Sequence, residues 1–263
     1  MSTEVFIIKS SADEITNLKQ LFTSSIFNVN EVVVPKPIGL NPSKLMTMDD
    51  IYEAYQYQWC LTKAKEKNSK MKKNSSVLLI KTSSTTKASN ELIARFINEL
   101  NNCNDTFDLF YLCRWKDECQ KITDIREIES TNIKIGRTYF PSGLEAIYFS
   151  PSGIDIFLGN ISMKNNHILN INMPLEKKLR HEISEGNIVA WCTIGNIFSF
   201  DVTKAISNSD YIKTHECDEI ASLCSQRKDK DGVNSSAFYN YIWVIIILII
   251  IIIVVIVILS IRK

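Results

Sequence analysis

From Ile242 to Ile261 the sequence reads IWVIIILIIIIIVVIVILSI, a run of 20 residues without a charge, and this stretch limits what the chain can become more than any other. As a helix rising about 1.5 Å per residue it reaches about 30 Å, the thickness of a bilayer's hydrocarbon core. Isoleucine, leucine and valine each contribute about −0.3 to −0.6 kcal/mol to insertion near the centre, so the run sums to about −5 to −10 kcal/mol with nothing to oppose it. β-branched residues are mediocre helix formers in water. In lipid every backbone group must be paired internally, and a helix is the one single-pass solution. The expectation is a transmembrane helix over 242–261, with Tyr239, Tyr241 and Trp243 at the near interface and Arg262 and Lys263 at the far one.

Two residues follow the span, so it is expected to insert after translation ends, as a tail anchor that leaves the N-terminal domain cytosolic as made. Met1 to Lys9 is strand-like and carries no basic region ahead of an apolar one, so no secretory signal is read there. Ser225 to Ser236 (SQRKDKDGVNSS) is polar, charged and without apolar periodicity, as a tether would be. The expected division is a soluble domain over 1–224, a tether and interface segment over 225–241, the span over 242–261 and a basic end at 262–263.

About 220 residues remain for one folded domain, enough for a real core. Thirty lysines and arginines face 29 acidic residues, a net charge of +1, so no general attraction for nucleic acid or anionic lipid arises and any such binding must be local. Seven cysteines, at 60, 103, 113, 119, 192, 217 and 224, include no C-x-x-C pair and no zinc-finger spacing. In a reducing compartment most of them are expected to be buried small hydrophobes.

Along the domain, apolar β-rich runs alternate with helical spacing. Val5 to Ile8 is a strand, followed by a helix over Ser10 to Thr23 with Ile15, Leu18, Leu21 and Phe22 on one face. Glu31 to Val34 is a strand stopped by Pro35-Lys-Pro37, and Met48 to Lys67 a helix bearing Ile51, Tyr55, Trp59 and Leu61. Ser76 to Ile80, Phe107 to Leu112, Leu144 to Phe149, Ile188 to Cys192 and Ile197 to Phe200 read as strands. Ser89 to Leu100, a short segment from Ser150 through Leu158, and Pro174 to about Ser184 read as helices. The expectation is an α/β domain with a mostly parallel sheet flanked by helices. No phosphate-binding glycine loop, G-x-S-x-G elbow or H-E-x-x-H motif occurs.

Three stretches, taken in order, resemble glycosyltransferase family twenty-five and its derived copies in large DNA viruses. Val5 to Ile8 is similar to the family's opening strand. Asp49 to Leu61 followed by Ser76 to Ile80 resembles the helix and strand that lead to its metal-binding acidic triplet. Phe107-Asp-Leu-Phe-Tyr-Leu112, with Arg137 through Ser150, resembles two later strands, and Asn196 to Asp201 a segment near the domain's end. The resemblance covers most of residues 4–204 and implies a glycosyltransferase-A-like fold. The architecture also resembles the tail-anchored, heparan-sulfate-binding envelope proteins of poxvirus virions, which carry such a domain ahead of a C-terminal span.

That family holds a divalent cation with two or three carboxylates just after a buried strand, so that the metal can neutralise the leaving diphosphate. Here the strand end reads Ile80-Lys81-Thr82-Ser83-Ser84, with no carboxylate. Asp49-Asp50 is read as a helix cap and dipole complement. Asp105, Asp108, Asp117 and Glu118 flank the Phe107 strand, and Asp108 could face a cleft. His167, His181 and His215 are isolated, and Cys113 and Cys119 lack an activating histidine. No catalytic residue and no metal ligand is assigned. Neither metal nor cofactor is expected, and a nucleotide sugar is the candidate small ligand, in a cleft of Lys9, Lys81, Ser83, Ser84, Arg137 and Tyr139.

Lys63, Lys65, Lys67, Lys70, Lys72 and Lys73 form a basic run opposed by Glu66 alone, with a second group at Lys177, Lys178 and Arg180. Lys70, Lys72 and Lys73 are the candidate patch for a sulfated glycosaminoglycan. Phe110, Tyr111 and Trp115 are candidates for stacking on a sugar, with core packing the competing reading for Phe110. Taken together, these readings describe a tail-anchored viral envelope protein with a degenerate transferase-like domain, serving attachment or virion assembly. Its partners would be the bilayer and a glycosaminoglycan or other virion proteins, not nucleic acid. The alternative is a membrane-tethered glycosyltransferase that works without the acidic motif.

Overall fold

The computed structural model describes residues 2–12, 17–37, 46–103, 106–114, 122–139, 141–161, 173–195 and 197–200. The chain divides into two units, Met1–Ile220 and Ala221–Lys263, and every described residue lies in the first. Among the described residues no helix is long and apolar enough to cross a membrane, and the tether, the 242–261 run and its flanking aromatic and basic residues lie outside them.

Ten strands are described: β1 Thr3–Ile8, β2 Phe27–Val32, β3 Ser76–Lys81, β4 Ser84–Thr85, β5 Leu109–Tyr111, β6 Ile122–Ile128, β7 Ile133–Thr138, β8 Ala146–Phe149, β9 Ala190–Thr193 and β10 Ser199–Phe200. Eight form one sheet in the order β2-β1-β3-β8-β5-β9-β7-β6, and β4 pairs with β10 in a small second one. Four helices accompany them, α1 Met48–Met71, α2 Asn90–Asn102, α3 Pro151–Ile156 and α4 Leu175–Ser184, with α3 running into a π-helical turn over Phe157–Ile161.

The sheet is mixed, which corrects the expectation of a mostly parallel one. β1 runs parallel to β2 and β3, and β5 to β9, but β8 lies antiparallel between β3 and β5, and β7 antiparallel to β9 and to β6. The β6–β7 hairpin was not legible as strands. Its four-residue turn forbids a parallel pairing, which needs a crossover of about a dozen residues or more. Asn132 closes the turn at φ 55°, a left-handed conformation that asparagine tolerates.

β1 and β3 are buried along nearly their whole length because both faces of the sheet are covered. One face carries Val5, Ile7, Leu78, Ile80, Phe110 and Tyr148 into a cluster with Ile93, Phe96, Ile97 and Leu100 of α2. Period-two alternation sends Phe6, Leu79, Ile147 and Phe149 to the other face, where the buried residues of α1 include Ala54, Tyr57, Leu61 and Ala64. At the base of the α2 side, Asn101 ties three hydroxyls together. Its Oδ1 accepts from Ser76 Oγ and Tyr148 Oη, both at 2.8 Å, and its Nδ2 donates to Thr3 Oγ1 at 3.0 Å.

Two boundaries differ from the sequence reading for identifiable reasons. β2 starts at Phe27, four residues before the expected run, because Asn28 and Asn30 reach the buried carboxylate of Glu4 on β1. Lys67 of α1 completes that site at 2.8 Å. The helix expected over 10–23 is, among the described residues, a 3-10 turn at Leu18–Leu21. The apolar spacing of 15, 18 and 21 suits a period of three as well as one of 3.6.

Candidate functional site

Two clusters of charge stand at opposite ends of β3. The first is at its C-terminal end, the edge where open α/β sheets bind ligands. β1 and β3 end side by side, with Ile8 level with Lys81. The sequence places no carboxylate here, yet the fold brings in three from elsewhere. Glu53 comes from the second turn of α1, Glu145 from the residue before β8, and Glu176 from the first turn of α4.

Lys81 Nζ is ion-paired to Glu53 Oε1, with the two side chains 22% and 29% exposed. Burial alone would lower the lysine's pKa, but Glu53 and Glu145 outweigh it and hold the ammonium above its ordinary range. Glu145 is pushed up by burial and by the neighbouring Glu53 and Glu176, with Lys81 pulling the other way. Burial likewise raises Glu176.

The loop before β8 holds these carboxylates in place. Gly143 has φ 105°, where a side chain would be strained, and this turn lets two successive backbone amides serve two acids. Gly143 N donates to Glu176 at 3.3 Å and Leu144 N to Glu145 at 2.8 Å. Tyr57 Oη donates to the Leu144 carbonyl beneath, and burial followed by the charges of Glu53 and Glu145 pushes its phenol well up.

The proposed nucleotide-sugar cleft divides. Lys9, Lys81, Ser83 and Ser84 gather at this edge. Lys9 Nζ donates to the Ala12 carbonyl at 3.2 Å and stands 4.0 Å from Glu31. Ser83 is partly exposed in the turn between β3 and β4, while Ser84 is buried and donates to the Glu145 carbonyl at 3.0 Å. Arg137 and Tyr139 are not part of this group. Arg137 is level with Leu78 through Trp191, Phe110 and Tyr148, four strands from β3, or about 19 Å across the sheet. Its guanidinium lies over the Tyr139 ring at 5.1 Å instead.

Chemically, the end of β3 places one ammonium, Lys81, among three carboxylates. A diphosphate brought to Lys81 would meet Glu53, Glu145 and Glu176. Among the described residues no three histidine, cysteine or acidic side chains stand close enough to hold a metal ion.

The second cluster surrounds the end of α1, at the opposite edge of the sheet. Lys65, Asn68, Ser69, Lys72, Lys73 and Asn74 face Pro151, Ser152 and Asp155 of α3 across a groove of about 400 Å³. Half of the basic run is already paired. Lys63 holds Glu66 at 3.2 Å, Lys65 holds Asp155 at 3.0 Å and Lys67 holds Glu4. Lys70, Lys72 and Lys73 are exposed and have no acidic partner among the described residues. Lys72 also caps α1 at φ 50°, ψ 43°, a left-handed position usually given to glycine.

The remaining candidates resolve into structure. Thr47 caps α1 and exchanges hydrogen bonds with Asp50, a capping box, with Asp49 beside it in the first turn. Asp108 does not face a cleft: its carboxylate accepts from Val189 N at 2.9 Å and Ser152 Oγ at 3.2 Å. Phe110 and Tyr111 are core residues, buried to 0% and 1% exposure, which rules out stacking on a sugar. Lys178 is paired with Glu182 at 2.7 Å, and Lys177 and His181 are exposed on α4. Cys60, Cys113 and Cys192 are buried. Asp105, Trp115, Asp117, Glu118, Cys119, His167, His215, Cys217 and Cys224 lie outside the described residues.

No family model and no curated protein matches the chain. Among solved structures it is similar to a glycosyltransferase involved in the glycosylation of the major capsid of PBCV-1. The identity is 11%, the TM-score 0.46, and the match covers 86% of this chain and 100% of that one.

Proposed function

We propose that this chain is a tail-anchored membrane protein, of a viral envelope, whose glycosyltransferase-A-like domain serves attachment or virion assembly by binding a sulfated glycosaminoglycan. The observation that carries the binding role is the groove at the end of α1, lined by Lys72 and Lys73 with Lys70 nearby in the last turn, where these three have no acidic partner among the described residues while the other lysines of the run are paired. The near-neutral whole chain supplies no competing long-range field, so these three cations dominate locally. The uncharged 242–261 run supports the anchor, and the polar 225–236 stretch supports a tether between anchor and domain.

A second reading, a membrane-tethered glycosyltransferase, is favoured by the three carboxylates gathered at the C-terminal end of β3, where the resemblance puts the acidic triplet. Lys81 is ion-paired to Glu53 within that cluster, so the binding reading is the stronger one. Glycosyl transfer and donor hydrolysis, measured with nucleotide sugars with and without manganese on the full chain, separate the two. The binding reading expects no turnover above background. Turnover that Lys81→Ala or Glu53→Gln abolishes would establish the enzyme instead.

A further inference from the structure

The three acids at the C-terminal end of β3 differ in how firmly the fold fixes them. Glu53 is set by α1 and by its ion pair with Lys81. Glu145 is set by the sheet edge, where its backbone carbonyl accepts from Lys81 N at 2.8 Å and from Ser84 Oγ at 3.0 Å. Glu176 is held more loosely. It lies in the first turn of α4, where Pro174 is the N-cap and offers no side-chain hydrogen bond to the free amides. Its carboxylate accepts from Gly143 N at 3.3 Å, a long bond. Gly143 itself stands at φ 105°, a hinge position open to a residue without a side chain.

We infer that the turn at 141–143 and the first turn of α4 form a pH-sensitive latch, closed while Glu145 and Glu176 carry protons and loosened as they ionise. The balance of charge carries the inference. Lys81 faces all three acids and Arg180 faces Glu176, so three ionised acids would outnumber the two cations that the described residues bring to them. Tyr57, the phenol packed against the same turn, stays neutral and donates to the Leu144 carbonyl. Glu145 and Glu176 are half-buried, so their mutual repulsion is screened less than it would be on an open surface. The amides of Gly143 and Leu144 favour the ionised acids, but burial, helped by the charge of Glu53, outweighs them and raises both acids. Opening the first turn of α4 returns Glu176 to water and to its ordinary value. The closed form therefore binds more protons than the open one. Closure is strongest below the ordinary carboxylate range and weakens as pH rises through the raised values. The edge around Lys81 is tight in acid and looser at higher pH, independently of the lysine groove at the opposite edge of the sheet.

Hydrogen–deuterium exchange on the full chain in detergent, at pH 5 and pH 8 and corrected for the intrinsic pH dependence of amide exchange, tests the latch. Protection of peptides covering 141–145 and 175–181 should fall at least fivefold at the higher pH, while peptides within α2 change less than twofold. With Glu145→Gln and Glu176→Gln combined, the fall should shrink below twofold, because the neutral amides stand in for the protonated acids. If that variant does not fold, Glu176→Gln alone decides the matter and should at least halve the fall. No fall in the wild type, a fall that α2 shares, or one that persists undiminished in the folded glutamine variants would overturn the inference.

Discussion

Lys81 at the end of β3 and Glu53 in the second turn of α1 form an ion pair across 28 residues of sequence, at the edge of the sheet where a ligand would be expected. The pair is partly solvent-exposed, so its coupling should be intermediate between surface and buried pairs. A double-mutant cycle with Lys81→Met and Glu53→Gln should return about 1–3 kcal/mol by denaturant unfolding. Lys81→Met alone should cost more than Glu53→Gln alone, because it leaves three carboxylates without their cation.

Glu145 gives that cluster a pH signature. Its folded pKa is raised, chiefly by burial, so the folded state binds the proton more tightly than the unfolded state does. Its contribution to stability is present below the unfolded carboxylate value and is lost as pH rises through the raised folded one. Glu145→Gln should therefore gain stability relative to wild type between pH 4 and pH 8. A difference that is flat, or that runs the other way, would contradict the assignment.

Asn101 ties Thr3, Ser76 and Tyr148 together on the α2 side of the sheet. Asn101→Ala leaves three part-buried hydroxyls to find other partners and should lower unfolding free energy by about 1–3 kcal/mol. The ligand-binding properties proposed above should be unaffected.

Lys72 holds a left-handed cap where glycine is the ordinary choice. Lys72→Gly should relieve about 0.5–1 kcal/mol of backbone cost and raise the thermal midpoint, while weakening retention on heparin. An exchange of stability for binding at one residue is what a functional lysine predicts, and a merely structural one would lose neither.

The long elements were legible because their periodicity is strong. α2 buries Ile93, Phe96, Ile97 and Leu100, the spacing of an amphipathic helix, and β3 is a continuous apolar run that both faces of the sheet require. The β6–β7 hairpin was not legible, since ITDIREI sits at a sheet edge and exposes Asp124, Arg126 and Glu127, which breaks a strict apolar alternation. The carboxylate cluster was hidden for a different reason. Glu53, Glu145 and Glu176 belong to three elements, and each alone looks like a solvated acid. Only the β8 crossover and the Gly143 turn bring them to Lys81. Trp59 was read as part of α1's apolar pattern, whereas the structure leaves it half-buried.

The most direct test of the central claim is retention of the full chain on immobilised heparin, for wild type and for Lys70→Glu, Lys72→Glu and Lys73→Glu combined. Wild type should bind at 0.15 M salt and elute as salt shortens the Debye length from about 8 Å toward 3 Å near 1 M. The triple variant should pass through at 0.15 M with its thermal midpoint unchanged. Equal retention of the two proteins would contradict the proposal that the groove at the end of α1 is the binding surface.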